Sequence, residues 1–181
     1  MSLSTGPARL ELRIGDITRE QVDAIGNAAN ERLRGGGGVD GAIHAAAGPG
    51  LLDELRRRYP NGTPTGTAVE TSAHALPSRW VIHAVGPIWR GGGHGEAELL
   101  AGAYRSTVQL AEDLGARSLA LPAISMGIYG YPADEAATIA IRTVHELLAE
   151  SSGLELVRFV LRPATMDAFA AALETADPKP E

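Results

Sequence analysis

The chain has 181 residues, of which 44% are hydrophobic and 21% are charged, as in a globular protein of one ordinary domain. The formal net charge of −6 argues against a general nucleic-acid-binding protein, and the absence of cysteine excludes disulfides, thiolate metal sites and thiol nucleophiles. No stretch approaches the roughly 18 unbroken apolar residues of a membrane span, and the N-terminus lacks the apolar core of a signal peptide, so we expect a cytoplasmic protein that does not contact membranes.

In chain order, the spacing of apolar residues predicts strands that alternate with helices. The predicted elements are strands over 9–14 and 23–29, helices over 39–47 and 51–59, strands over 67–73 and 80–85, a helix over 96–114, a strand over 118–124, a helix over 133–149, a strand over 156–161 and a helix over 164–173. This alternation is typical of an α/β sheet that helices cover on both faces. Ligands bind such sheets beyond the carboxyl ends of the strands.

Both ends of the sequence have the character of tails. Residues 1–8 are small and polar, and residues 175–181 carry prolines among charged side chains. No linker and no internal repeat divides residues 9–174, so the sequence predicts a single domain between two tails.

The first segment that leaves a predicted strand end is Gly15-Asp16-Ile17-Thr18. A carboxylate at this position can accept hydrogen bonds from a ligand, for example from the exocyclic amine of adenine. Alternatively, Asp16 or Thr18 caps a short helix that begins near Arg19, which is the more common role of these residue types.

The second segment contains Asn27 and Asn30, followed by four consecutive glycines from Gly35 to Gly38 and by Asp40. A glycine run is usually a flexible surface loop, but it also allows the main chain to approach a ligand closely. The two asparagines lie in an otherwise small and apolar stretch, so we expect them to be partly buried and hydrogen-bonded. Asp40 falls at the start of a predicted helix, where main-chain amides favour anions.

The third segment, residues 125–132, lies between the most apolar predicted strand and a long predicted helix. A strand followed by a glycine-containing loop and a helix start can form a phosphate cradle. The segment is neither a Walker A loop nor the dinucleotide fingerprint of three glycines. The alternative is a tight turn whose two tyrosines fill the edge of the core.

The five histidines show no spacing typical of a zinc motif, so we predict no metal site. His83 falls inside a predicted strand and His44 inside a predicted helix, and we expect both to be buried residues with polar partners. The sequence has no Gly-x-Ser-x-Gly nucleophile elbow.

Taken together, these segments resemble the ordered motifs of macrodomains. The similar stretches include Gly15 to Thr18, Asn27 to Asn30, Gly35 to His44, Val81 to Pro87 and Ser125 to Pro132. The similarity runs from about Leu10 to Leu161 and is greatest to the MacroD type, whose members hydrolyse ADP-ribosyl esters.

The resemblance implies a three-layer α/β/α sandwich with a mixed, mostly parallel central sheet and a cleft for ADP-ribose at the carboxyl ends of the strands. It implies catalytic roles for Asn30 and Asp40. The ligand-binding residues that it implies are Gly15, Asp16, Ile17, Asn27, Ala28, Ala29, Gly35, Gly36, Gly37, Gly38, Val39, Ser125, Met126, Gly127, Ile128, Tyr129, Gly130, Tyr131 and Arg162.

The resemblance further implies a hydrolase that removes mono-ADP-ribosyl groups from acidic protein side chains or deacetylates O-acetyl-ADP-ribose, without a cofactor or a metal. The expected partners are ADP-ribose, O-acetyl-ADP-ribose and ADP-ribosylated proteins. Nucleic acid is not expected because no basic patch is present, and we expect a monomer. The alternatives are a non-catalytic ADP-ribose reader and an ADP-ribose-1″-phosphate phosphatase.

Three places in the sequence depart from the macrodomain pattern, and one of them is the stretch Ser72-Ala73-His74, which replaces a usual Gly-Tyr. Gly26 stands where valine usually precedes the asparagine pair, which we expect to loosen that strand end. Met126 replaces a usual threonine and removes a hydroxyl from the phosphate loop. Because the expected phosphate donors are main-chain amides, these departures should alter affinity and rate more than the identity of the ligand.

Overall fold

The computed structural model describes residues 1–150 and 153–176. Its elements in chain order are β1 (Ser2–Thr5), β2 (Ala8–Ile14), a short 3₁₀ helix (Ile17–Arg19), β3 (Ala24–Ala29), α1 (Gly38–Ala47), α2 (Pro49–Arg58), β4 (Ala68–Ser72), β5 (Trp80–Val85), α3 (Glu96–Asp113), β6 (Ser118–Leu121), α4 (Ala133–Ala149), β7 (Leu156–Leu161) and α5 (Pro163–Ala176). None of the helices within these two ranges is long and apolar enough to cross a membrane.

The seven strands form one mixed sheet in the order β1-β2-β7-β6-β3-β5-β4. The inner strands β2, β7, β6, β3 and β5 are parallel, and the antiparallel strands β1 and β4 close the two edges. The parallel strands therefore all end at one side of the sheet, which brings the loops after β2, β7, β6, β3 and β5 together in that order.

Helices cover the sheet on both faces, in agreement with the predicted α/β/α sandwich. Helices α3, α4 and α5 pack over one face, where Phe159 of β7 lies between Tyr104 of α3 and Phe169 of α5 with ring centroids 5.8 and 4.9 Å apart. Helices α1 and α2 cover the other face, where Ile43, Leu51 and other apolar side chains form a second core.

The prediction that residues 1–8 form a tail is wrong, because Ser2–Thr5 forms the edge strand β1. This strand pairs antiparallel with β2 through a turn at Gly6, whose φ is +59°, and buries Leu3 and Thr5. The predicted tail at 175–181 is also altered, because α5 extends to Ala176; the rest of that segment lies outside the described residues.

Other boundaries shift by a few residues, for local reasons. Strand β6 ends at Leu121 and not at the predicted residue 124, since Pro122 cannot donate to a strand ladder. Helix α2 begins at Pro49, at the first helical position that proline favours.

The absence of a side chain at Gly26 does not loosen the end of β3, contrary to the expectation from sequence. A Cβ at Gly26 would lie 3.1 Å from Leu121 Cδ2 and 3.2 Å from Pro122 Cδ. Because these neighbouring side chains occupy the space, the strand end is tightly packed.

Candidate active site

A cleft of three connected cavities runs along the carboxyl ends of the parallel strands. The first cavity, about 480 Å³, lies at the ends of β2, β7 and β6; the middle cavity, about 180 Å³, lies at the ends of β6 and β3; and the third cavity, about 430 Å³, lies at the ends of β3 and β5. Gly127 lines both the first and the middle cavity, and Asn30 and Tyr129 line both the middle and the third.

Asp16 lines the first cavity and also caps the 3₁₀ helix. Its Oδ1 accepts hydrogen bonds from Thr18 N at 3.0 Å and from Thr18 Oγ1 at 2.7 Å, and these bonds lower the pKa of the carboxyl. The capping interpretation is therefore confirmed. Both bonds reach Oδ1, whereas Oδ2 pairs with Arg19 Nε at 3.7 Å. Because the Asp16 side chain is 54% exposed, Oδ2 can still accept a further hydrogen bond in the cavity that Ile17 also lines.

The glycine segment brings Asn30 and Asp40 together in the middle cavity. Asn30 Nδ2 donates to Gly35 O at 2.9 Å. A Cβ at Gly36 would lie 3.2 Å from Asp40 Oδ2 and 3.7 Å from Asn30 Nδ2. Glycine at this position therefore lets the main chain lie directly against both polar side chains.

A buried chain of hydrogen bonds through Asn27, His83 and Thr71 holds Asp40 in place. Asp40 Oδ1 accepts from Asn27 Nδ2 at 2.8 Å, and the same amide nitrogen lies 3.1 Å from His83 Nδ1. His83 Nε2 lies 3.0 Å from Thr71 Oγ1, and His44 Nε2 lies 3.3 Å from Asp40 Oδ1. His44 and His83 thus have the polar partners expected from the sequence.

The direction of these bonds follows from the chemistry of the groups. An amide nitrogen only donates, so Nδ1 of His83 accepts from Asn27 and Nε2 carries the proton that is donated to Thr71. Burial lowers the pKa of His83 to about 3, so its ring is neutral at physiological pH. Because the His83 ring is uncharged, it places no positive charge near Asp40.

The loop after β6, which lines the cleft, leaves consecutive main-chain N–H groups without a partner among the described residues. Within residues 1–150 and 153–176, the amides of residues 125–129 make no hydrogen bond, whereas Gly130 N and Tyr131 N close the turn onto Gly127 O and Ser125 O. A run of unpaired amides is the donor set that an anion requires.

Ser125, the first residue of this loop, has a strained main chain and a buried hydroxyl group without a partner among the described residues. Its φ is +66°, and its buried Oγ has no hydrogen-bond partner among the residues that the structure describes. A Cβ at the facing Gly86 would lie 2.2 Å from this hydroxyl, so glycine is required there. Strain and an unpartnered polar atom at a cavity are typical of a binding site.

The glycine segment and the loop after β6 meet above the middle cavity. A Cβ at Gly37 would contact Ile128 Cδ1 at 3.6 Å, and the Ile128 side chain is 86% exposed. These two segments therefore form opposite walls of a narrow opening.

Most of the predicted ligand-binding residues line the cleft, as do the two predicted catalytic residues, Asn30 and Asp40. They are Gly15, Asp16, Ile17, Ala28, Ala29, Asn30, Gly36, Gly37, Val39, Asp40, Ser125, Met126, Gly127, Ile128, Tyr129 and Arg162.

Five predicted residues do not line the cavities. Asn27 lies behind Asp40, Gly35 lies against the ring of His44, Gly38 begins α1, and Gly130 has the positive φ of a turn. Tyr131 belongs to the core: its buried ring packs on Trp89 with centroids 4.6 Å apart. One of the two loop tyrosines therefore fills the core edge, and the other, Tyr129, lines the cleft.

The third cavity contains residues that the sequence did not indicate. Its walls include Arg32 after β3, Arg90 after β5 and Glu96 at the start of α3. The positions of Arg32 and Arg90 after strand ends are the signal that could have found those two residues. Among the described residues, no group of three His, Cys, Asp or Glu side chains could hold a metal ion.

Comparison with known proteins gives consistent results. The sequence profile of the family described as Macro domain matches residues 26–140. An O-acetyl-ADP-ribose deacetylase of Salmonella gallinarum is 56% identical over 155 residues, which cover 84% of this chain and 87% of that protein. A Macro domain-containing protein of Chlorobaculum tepidum is 57% identical over 144 residues, covering 80% of this chain and 83% of the relative.

Solved structures agree in fold. The Oceanobacillus iheyensis macrodomain with ADP has a TM-score of 0.91 and 42% identity, and the match covers 97% of this chain and 95% of that one. The Trypanosoma brucei macrodomain in complex with ADP-ribose has a TM-score of 0.80 and 39% identity, covering 92% and 68% of the two chains.

Proposed function

The chain belongs to the Macro domain family, and on that premise we propose that it binds ADP-ribose and hydrolyses the ester that joins ADP-ribose to an acidic protein side chain or to acetate. The products are ADP-ribose and a free carboxylate. The reaction needs a positioned water and an anion site, and it needs no nucleophilic side chain.

In this proposal, the nucleotide extends across the first and middle cavities. Adenine lies in the first cavity, where Asp16 Oδ2 can accept from its exocyclic amine and Ile17 can pack against the ring. The diphosphate lies on the unpaired amides of residues 125–129, which supply donors without a lysine or arginine. The distal ribose then enters the middle cavity beside Tyr129.

Asn30 and Asp40 would carry the chemistry at this ribose. Asn30 would bond a ribose hydroxyl and fix the sugar, since its side chain is already held by Gly35 O. Asp40 would orient the water and take its proton as the water oxygen bonds to the sugar carbon that bears the ester, while the departing carboxylate leaves with the electron pair of the broken carbon–oxygen bond. The bond from Asn27 fixes Oδ1, so Oδ2 is the atom that would receive the proton.

One observation carries the proposal: a buried carboxylate, Asp40, lines the same small cavity as a run of unpaired main-chain amides. A module that only holds ADP-ribose needs the amides but has no use for a fixed carboxylate at that place. The deacetylase name of the Salmonella relatives, at 55–56% identity, supports the same choice.

The test offers O-acetyl-ADP-ribose and a protein with glutamate-linked ADP-ribose to the purified chain in parallel. We expect release of ADP-ribose from at least one ester and micromolar binding of free ADP-ribose by calorimetry. Binding without turnover of either ester would identify a reader module. A lack of binding would contradict the proposal as a whole.

A further inference from the structure

The third cavity is the part of the cleft that the proposed reaction leaves unassigned. It opens directly from the middle cavity, because Asn30 and Tyr129 line both. A ribose held between these two residues would point its ester substituent into the third cavity. At about 430 Å³, this space is far larger than an acetyl group requires.

The carboxylates of this cavity already have partners. Glu96 is 2% exposed and accepts from Arg90 N, Gly92 N and His94 N at 3.0, 3.1 and 2.7 Å. Although desolvation opposes it, these main-chain donors lower the pKa of Glu96 to about 2. Glu31 accepts from Thr65 N at 3.1 Å and from Thr65 Oγ1 at 2.6 Å.

The two arginines of this cavity, by contrast, have no side-chain partners among the described residues. The side chains of Arg32 and Arg90 are exposed, and neither guanidinium makes a hydrogen bond or an ion pair with the part of the chain that the structure describes. Each guanidinium therefore keeps its full set of donors, whose planar fork matches the two oxygens of a carboxylate.

The wall that carries Arg90 is fixed relative to the middle cavity. Trp89 N donates to Tyr129 O at 2.9 Å, and the Trp89 ring packs on Tyr131. Glu96 anchors the following loop through three amides, as described above. A ligand group in the third cavity would thus meet a preorganised surface beside the ribose site.

We propose that the third cavity binds the polypeptide segment that carries the ADP-ribosyl group, and that Arg32 and Arg90 select segments with acidic residues next to the modified side chain. The inference rests on the proposed function, since it assumes that the ribose lies in the middle cavity. The protein as a whole has a net charge of −6, so an acidic segment needs local cations to bind here.

The test compares the wild type with the double variant Arg32→Gln/Arg90→Gln on three substrates. These are O-acetyl-ADP-ribose, a glutamate-linked ADP-ribosyl peptide with aspartates on both sides, and the same peptide with asparagines in their place. The control is the double variant Arg56→Gln/Arg57→Gln, which removes the same charge from the exposed surface of α2.

We expect wild-type kcat/KM to favour the acidic peptide about tenfold over the neutral one, and we expect the cavity variant to lose this preference while the control keeps it. Turnover of O-acetyl-ADP-ribose should change less than twofold in both variants. Equal rates for the two peptides in the wild type, or an equal loss on all three substrates in the cavity variant, would overturn the inference.

A binding measurement separates failure of this inference from failure of the proposed function. If the wild type turns over neither ester, the proposed hydrolysis is contradicted. The affinities of the two ADP-ribosylated peptides then still test the role of the third cavity. Tighter binding of the acidic peptide that depends on Arg32 and Arg90 supports it. A response only to an ADP-ribosylated oligonucleotide would assign the cavity to nucleic acid and overturn the inference.

Discussion

Asn27 and Asp40 form a buried hydrogen bond in which the amide nitrogen donates to Oδ1 of the carboxylate at 2.8 Å. The bond gives the two oxygens of Asp40 different roles. Oδ1 is held by the sheet through Asn27, while Oδ2 lies beside Gly36 at the wall of the middle cavity. A carboxylate with one fixed oxygen is preorganised to orient a single water molecule.

Asp40→Asn should remove most turnover and leave binding nearly intact. The amide oxygen can still accept from Asn27, so the fold is kept, but the group no longer takes a proton. We expect kcat to fall at least 100-fold, with the Kd for ADP-ribose changed less than threefold. Initial rates and calorimetry measure the two quantities, and more than half of the wild-type kcat would remove the assignment.

Asn30→Ala should also lower kcat, because the distal ribose loses the amide that fixes it. The substitution deletes the bond to Gly35 O, so a change in the glycine segment must be distinguished from a change in the sugar contact. Asn30→Gln is the matched variant, since its side chain keeps the amide but is one methylene longer. If both variants keep wild-type kcat, Asn30 does not position the sugar.

Asp16→Ala should weaken ADP-ribose binding about tenfold with little effect on kcat, because the residue lies at the end of the cleft away from Asp40. The comparison ligand is inosine diphosphate ribose, which lacks the exocyclic amine. If Asp16 recognises that amine, the substitution should have little effect on this ligand. An equal loss for both ligands would show that only the cap on the 3₁₀ helix was lost.

Ser125→Gly should stabilise the free protein and weaken ligand binding. Glycine relieves the strain of a φ of +66° and removes an unpartnered buried hydroxyl, which together outweigh the added entropy of the unfolded chain by about 1 kcal/mol. Denaturant unfolding measures this gain.

Ser125→Ala serves as its partner, because it removes the hydroxyl and retains the strain. Both variants should raise the Kd for ADP-ribose several-fold if the hydroxyl contacts the ligand. Unchanged affinity in both variants would mean that the Ser125 hydroxyl does not contact the ligand.

His83 should make the protein less stable in mild acid. Its pKa is about 3 in the folded state and near 6.5 in an unfolded chain, so the unfolded chain binds the proton first as the pH falls. Stability is therefore complete above about pH 6.5 and decreases below it by about 1.4 kcal/mol per pH unit for this one group. Glu54, whose pKa is about 2, adds a further loss below about pH 4.5.

The measurement is the free energy of unfolding between pH 4.5 and 6.5. His83→Gln should reduce the slope over this range by about one proton, whatever its effect on absolute stability. His94→Gln is the control, because that side chain is 65% exposed and lies outside the buried network. An unchanged slope in His83→Gln would contradict a neutral His83.

The motifs of the first and middle cavities were predictable because each follows a parallel strand. Parallel strands end on one side of a sheet, so Asp16, Asn30 and Ser125 had to lie near one another once their strands were recognised. Apolar spacing identified those strands, and the family motifs added the order. Four glycines in succession were also informative, since a Cβ at Gly36 would lie only 3.2 Å from Asp40 Oδ2.

Features that depend on tertiary packing were not predictable. Strand β1 has four residues with little apolar signal, and it forms because a turn at Gly6 places it against β2. Tyr129 and Tyr131 are two positions apart in one loop, and the buried one, Tyr131, is the one that packs on Trp89 in the folded chain. Arg32 and Arg90 come from separate segments that share a cavity wall only in the folded chain.

In the proposed binding mode, the order of the strands places base recognition and bond cleavage on different parts of the sheet. The first cavity is built from the ends of β2 and β7, whereas Asn30 and Asp40 follow β3. If this proposal holds, nucleobase preference can be redesigned, for instance toward guanine, by changing residues near Asp16 and Arg162 alone.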